Sequence, residues 1–264
     1  MIVDVHHHYA DPAHYTQYKD FPAQLVEAMD RYGWDWVCLN GVGIRYHNKE
    51  NRDVAEAVAR FPNRLVGIGY LDVDRKKPGY VDELRSMGMR GLKIIGTHLR
   101  YDDDLYLPLY ERAAVARLPI LFHTGFLGGE TQPGPRDECS DNYRPIMLDR
   151  IARLFPDLVM IAAHMGTLLW FQEGIEVTCR HPNVYGDFSG GVGSEDPDFY
   201  RMPIHRRINW NKVLFGSDSL PNDAHIPFNA VMRLMADLKV DPGTQRNVLG
   251  ETAARIFGLG RDKQ

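Results

Sequence analysis

Short apolar runs alternate with helix-patterned stretches along this chain, and the alternation recurs eight times. The runs are Ile2–Val5, Trp36–Leu39, Leu65–Tyr70, Gly91–Ile95, Pro119–Phe122, Leu158–Ala162, Val184–Tyr185 and Val213–Phe215. They are too short and too uniformly apolar for strands with one wet face, and read as buried parallel strands. Between them, Asn51–Phe61 sets Val54, Ala57, Val58 and Phe61 on one helical face. Leu105–Leu118, Pro145–Phe155 and Pro227–Leu238 are patterned alike, and Phe21–Arg31 more weakly. Pro145 suits a helix's first turn, where a missing N–H costs nothing. Gly243–Leu259 reads as one further helix at the C-terminus. Eight βα units predict an α/β fold whose parallel sheet closes into a (β/α)8 TIM barrel. No linker, low-complexity block or internal repeat divides residues 1–264, so a single domain is expected.

Composition narrows the partners. The chain has 31 basic and 35 acidic residues, a formal charge of −4, and no run of five like charges. That balance gives no reason to expect nucleic acid or an anionic membrane. No apolar run reaches the roughly 20 residues of a spanning helix, and no basic-then-apolar leader opens the chain. Cys38, Cys139 and Cys179 are odd in number and widely spaced, which fits free thiols in a reducing cytoplasm. A small-molecule substrate is the expected partner, with a homodimer left open.

The polar residues that end the strands carry the chemistry. The first strand runs into His6-His7-His8, the fourth carries Lys93, and the fifth runs into His123. The sixth ends at His164 and the eighth at Asp218. In a βα barrel the strand C-termini converge on one face, so these residues would meet at one mouth. Strand alternation turns His6 and His8 to one side and His7 to the other, so His-x-His can grip one ion. A tag remnant would follow a linker, whereas this triplet follows a plausible strand. Three imidazoles and a carboxylate match zinc's N/O preference with room left for a water. Zinc would lower that water's pKa to about 7. Asp218 could then bind the metal and take a proton, while His164 orients the nucleophile or polarises a carbonyl.

The set Asp4-x-His6-x-His8, FHTG around His123, AAHMG around His164, FGSD ending in Asp218, and the tail NVLGETAARIFGL resembles the amidohydrolase superfamily from end to end. The nearest branch is the amidohydrolase-2 type related to aminocarboxymuconate-semialdehyde decarboxylase. The resemblance implies one divalent metal, zinc first and manganese second, held by His6, His8, His123 and Asp218. It also implies that His164 assists the metal-bound water. The tail departs slightly: relatives commonly carry Gly-Asn-Ala where this chain has Gly250-Glu251-Thr252.

Three residues are candidates for holding substrate. Arg45, after the second strand, and Arg144 could each grip a carboxylate bidentately, as relatives' loop arginines do. Lys93 could hold a substrate carboxylate or pair with an acid beneath the site. In binuclear relatives its counterpart is carboxylated and bridges two metals, a state that the mononuclear branch does not need. The Gly-rich Ser189–Ser194 lacks a phosphate loop's Lys-Ser/Thr ending and reads as a loop over the site. So does the long Thr124–Arg144 stretch. The expected activity is hydrolysis of an ester, lactone or amide of a small carboxylated molecule. The alternatives are non-oxidative decarboxylation of an aromatic or unsaturated acid on the same ligands, and a catalytically silent metal-binding barrel.

Overall fold

Residues 1–127, 139–190 and 207–260 are described by a computed structural model. Eight strands pair in parallel in chain order: β1 (Val3–His8), β2 (Trp36–Gly41), β3 (Leu65–Tyr70), β4 (Gly91–Ile94), β5 (Ile120–His123), β6 (Met160–Ala163), β7 (Val184–Phe188) and β8 (Val213–Phe215). β8 comes back beside β1, where the Asp218 amide donates to the His6 carbonyl at 2.7 Å. The result is the expected TIM barrel, nearly closed, with a helical layer outside.

That layer is α1 (Phe21–Tyr32), α2 (Asn51–Arg60), α3 (Gly79–Ser86), α4 (Leu107–Ala116), α5 (Met147–Leu154), α6 (Thr167–Arg180) and α7 (His225–Asp237). Among the described residues, β7 and β8 are joined by no helix beyond the 3-10 turn Trp210–Lys212. Alternation divides the strands between two cores. Leu92, Ile94, Ile120, Phe122, Met160 and Ala162 face outward against the helices. Val3, Val5, Cys38, Val66, Ile68, Leu121, Ile161 and Leu214 fill the barrel.

The expected C-terminal helix is present but broken. α8 (Pro242–Arg246) passes through one π-helical turn, Asn247–Glu251, into α9 (Thr252–Phe257). Ala253 and Phe257 of α9 join the barrel-interior cluster and close its floor. The break brings Gly250 so near β1 that a Cβ there would lie 2.7 Å from the Met1 carbonyl oxygen.

Several strands differ by a residue or two from their sequence reading, and the longer extensions of β1 and β7 reach the site. β1 does not stop at Val5 but continues through the histidines, with a slip in its pairing. Asp4 faces Val37 and His7 faces Leu39, so three steps of β1 are set against two of β2. That is a β-bulge. β7 does not stop at Tyr185 but runs to Phe188, taking Asp187 into the barrel wall.

After β6 the chain enters the left-handed region for four consecutive residues, His164 to Thr167 (φ between 46° and 87°). Gly174 of α6 packs against this turn; a Cβ there would meet the Met165 carbonyl oxygen at 2.2 Å. Backbone cannot yield as a side-chain tip can. Gly174→Ala is therefore expected to lower stability by about 1–3 kcal/mol through overpacking. Thermal unfolding by circular dichroism checks this, and an unchanged midpoint contradicts the packing described.

Candidate metal centre

The ends of β1, β5, β6 and β8 bring His6, His8, His123, His164 and Asp218 together at the C-terminal mouth. Their hydrogen bonds decide which atoms are free to take a ligand. His6 Nδ1 lies 3.1 Å from Asp187 Oδ2 and 3.1 Å from Ser189 Oγ. An ionised carboxylate only accepts, so Nδ1 carries the hydrogen and Nε2 presents a lone pair. His8 Nδ1 lies 2.9 Å from Asn48 Oδ1, while Asn48 Nδ2 donates to the Tyr46 carbonyl at 2.7 Å. The amide orientation follows from that second bond, and His8 too turns a bare Nε2 inward.

The two Nε2 atoms are 3.2 Å apart. Asp218 Oδ1 lies 3.3 Å from the His8 nitrogen and 3.8 Å from the His6 nitrogen. Three ligand atoms thus share one small volume, with Lys93 Nζ also 3.0 Å from His6 Nε2. Lys93 relieves the repulsion among them only from one side, at His6, and a cation between all three would relieve it fully. Zn–N bonds of about 2.0–2.1 Å in a tetrahedron hold ligand atoms about 3.3 Å apart, so the three atoms fit a divalent ion.

His123 and His164 form a pair beside this set. His123 Nε2 faces the Phe126 carbonyl at 3.2 Å, and its Nδ1 meets His164 Nε2 at 3.2 Å. His164 Nδ1 is 2.9 Å from Ser189 Oγ and 3.9 Å from Asp218 Oδ2. His6, His164 and Asp218 each offer a ligand atom within 4.8 Å of the other two. His164 therefore stands closer to the would-be ion than its expected proton-handling role required, while His123 joins through His164.

Both His164 (φ 61°) and Asp218 (φ 47°) occupy the left-handed region, which costs a non-glycine residue of order 1–3 kcal/mol. Local hydrogen bonds hold them there. The His164 amide donates to Asp187 Oδ1 at 2.9 Å, and the Asp218 amide to the His6 carbonyl. Gly190 lies against both side chains: a Cβ there would fall 2.4 Å from His164 Nδ1 and 3.0 Å from Asp218 Oδ2.

Lys93 is fully buried beneath the cluster, its Nζ 3.0 Å from His6 Nε2. Burial lowers its pKa against the opposing pull of Asp218 and Asp187. Burial raises Asp218, against the nearby Lys93 charge. Desolvation also holds the imidazoles neutral: His8 and His123 are pushed down to about 3, and His6 and His164 well below their ordinary value. Neutral imidazole is the ligating form.

The mouth opens into a cavity of about 270 Å³ lined by His8, Tyr15, Tyr46, Ile95, Leu127 and Leu220 among others. Arg45 borders a second cavity that shares Val42 and Tyr46 with the first. Arg144, expected to hold substrate, is not among the described residues that line this cavity. Its guanidinium pairs with Glu173 and lies 3.6 Å from Asp141. The reason is local: α6 delivers Glu173 directly beside it. Of the two loops expected over the site, residues 128–138 and 191–194 fall outside the described residues.

Sequence reasoning missed Asp187, Ser189 and Asn48, which orient the ligands from behind. Asp187 alone accepts from His6, the His164 amide and Ser189. Ending β7 at Tyr185 hid it.

The family described as amidohydrolase matches residues 3–259. No curated protein matches the chain significantly. Among solved structures, a probable 2-pyrone-4,6-dicarboxylic acid hydrolase from Acinetobacter baumannii, with citric acid bound, is 13% identical with a TM-score of 0.68. That alignment covers 97% of this chain and 99% of the other. A 2,6-dihydroxybenzoate decarboxylase from Rhizobium is 18% identical, covers 98% of both chains and has a TM-score of 0.66. A 5-carboxyvanillate decarboxylase from Novosphingobium aromaticivorans, complexed with manganese and 4-hydroxy-3-methoxy-5-nitrobenzoic acid, is 16% identical with a TM-score of 0.66. It covers 98% of this chain and 96% of its own. At such identities the likeness is one of fold.

The depressed imidazole pKa values set a pH dependence. In the unfolded chain these histidines protonate below about pH 6.5, while in the folded chain they stay neutral to far lower pH. The folded state thus binds fewer protons, so the stability is fully present above pH 6.5 and is lost as pH falls from there. In chelator-treated protein, stability should decline by at least about 1.4 kcal/mol per pH unit below pH 6. Denaturant melts at a series of pH values check this, and a flat profile down to about pH 5 contradicts neutral burial.

Proposed function

The chain belongs to the amidohydrolase family, and from that premise we propose that it is a metal-dependent hydrolase. Its proposed substrate is a small, carboxylated ester, lactone or amide. The observation that carries this reading is the convergence of His6 Nε2, His8 Nε2 and Asp218 Oδ1, with both imidazole nitrogens turned inward by partners behind the rings. In this reading His6, His8 and Asp218 hold one divalent ion, zinc before manganese, and the His123–His164 pair supplies the fourth donor. The ion would contribute Lewis acidity toward a carbonyl and lower the pKa of a water, making hydroxide available near neutral pH.

The protein's own groups do the rest. Asp218 presents Oδ1 to the ligand cluster and Oδ2 toward His164, so one carboxylate can ligate and also accept a proton. Neutral His164 stands ready to orient a water or donate to a leaving group. Cavity walls from Tyr15, Tyr46, Ile95, Leu127 and Leu220 suit a single-ring substrate. In this reading Arg45, which borders the neighbouring cavity, grips the carboxylate of an extended substrate. Lys93, in contact with His6, acts through the ligand cluster in this reading. No helix of the described residues is long and apolar enough to cross a membrane. The balanced charge supports a small molecule, with neither nucleic acid nor membrane, as the partner.

A second reading, non-oxidative decarboxylation of an aromatic acid, is favoured by one observation. Two of the fold's relatives described above are named decarboxylases, and one is complexed with manganese and a benzoic acid. The ligand cluster serves either reaction.

Asp218→Asn should reduce turnover by at least about 10³-fold while leaving the circular dichroism spectrum unchanged, because it removes both a ligand and the proton acceptor. Turnover near the wild-type rate would refute the assignment. Acid release from a panel of lactones and esters, set against carbon dioxide release from aromatic acids, separates the two reactions. The hydrolase reading predicts the first signal alone.

A further inference from the structure

The strand that carries His6 and His8 begins with the wrong parity to deliver them. Val3 and Val5 both fill the barrel interior. Strict alternation would send His7 in after them and turn His6 and His8 out. The bulge between Asp4 and His7 supplies the extra residue that reverses the sequence, so Val5 and His6 both face inward and His8 follows. The metal-ligating pair thus depends on one local irregularity.

A buried polar cluster sits on that irregularity's outer side. Asp4 and His7, three residues apart, could not touch across a regular strand, yet His7 Nδ1 lies 3.2 Å from Asp4 Oδ2. Asp4 Oδ1 accepts from the amides of His6 (3.0 Å) and Ser217 (2.9 Å). Asp4 Oδ2 accepts from the Ser217 hydroxyl at 2.5 Å, and the same hydroxyl oxygen is 3.0 Å from His7 Nδ1. One carboxylate therefore binds the bulge to the end of β8, on residues directly adjacent to His6 and Asp218. Asp4 and His7 are wholly buried, and His7 Nε2 has no hydrogen-bond partner among the described residues. An orphaned buried nitrogen is costly, so its retention needs a return that the other ring nitrogen provides.

We propose that Asp4 and His7 are positioning residues that lock the β1 bulge against Ser217 and so hold His6, His8 and Asp218 in ligating register. The proposal rests on the metal-centre reading above and adds to it where the affinity comes from. It predicts that the ion is gripped from outside the barrel wall, by groups that never touch it.

The probe is Co2+ alone, titrated into chelator-stripped protein and followed by its visible spectrum and by equilibrium dialysis. Asp4→Asn and His7→Leu should each weaken affinity by about 10–100-fold, as loss of ligand-orienting partners does. His7→Asn should restore most of it, because its amide nitrogen can stand near the position of Nδ1 and donate to Asp4. Leu65→Val, a cavity on the outer face of β3, controls for general destabilisation and should leave affinity unchanged. Wild-type-like affinity in Asp4→Asn overturns the proposal, as does equal loss in Leu65→Val. Should His7→Leu not fold, the Asp4→Asn and His7→Asn pair decides the same question. Failure of the wild-type protein to bind Co2+ would instead refute the metal centre itself.

Discussion

Three hydrogen-bond acceptors crowd one small volume at the barrel mouth, and the surrounding structure is arranged to keep them there. His6 Nε2, His8 Nε2 and Asp218 Oδ1 would drift apart if their imidazoles were free to change tautomer or their strands free to slide. Asp187 and Asn48 fix the tautomers from behind. The Asp218 amide, bonded to the His6 carbonyl, fixes the seam between β8 and β1. Burial keeps the rings uncharged, because an imidazolium would have no water to solvate it. Each feature is costly alone, and together they leave a set of side chains that could hold a metal ion.

The costs are visible in the backbone. His164 and Asp218 adopt positive φ values that their side chains disfavour, and the turn from His164 to Thr167 keeps to that region throughout. Strain of this kind survives where packing over-determines it. Here Gly174 and Gly190 give the backbone room, and Asp187 supplies the restraining hydrogen bond. The rigid barrel thus holds a locally strained rim, a common division between scaffold and site.

The architecture was readable because buried parallel strands announce themselves as uniform apolar runs, as Leu65–Tyr70 and Val213–Phe215 do. The bulge left no such sign: Val3 and Val5 share one face and Asp4 the other, and nothing in the sequence marks an extra residue between Asp4 and His7. His6, His8, His123, His164 and Asp218 were findable because strand ends converge in such a barrel. Asp187 was not, since Tyr-Gly-Asp looks like a strand's exit and the pattern of β7 is too weak to show its continuation. The Arg144 ion pair was not legible, because its partner Glu173 lies 29 residues away on a helix whose orientation the sequence does not state. Charge pairing across elements is a tertiary fact.

Whether one cation joins these side chains is a spatial question, and anomalous diffraction from crystals grown with zinc addresses it most directly. One peak is expected at the barrel mouth, within bonding distance of His6 Nε2, His8 Nε2 and a carboxylate oxygen of Asp218. A mouth without a peak, or two peaks flanking a modified Lys93, would contradict the mononuclear centre.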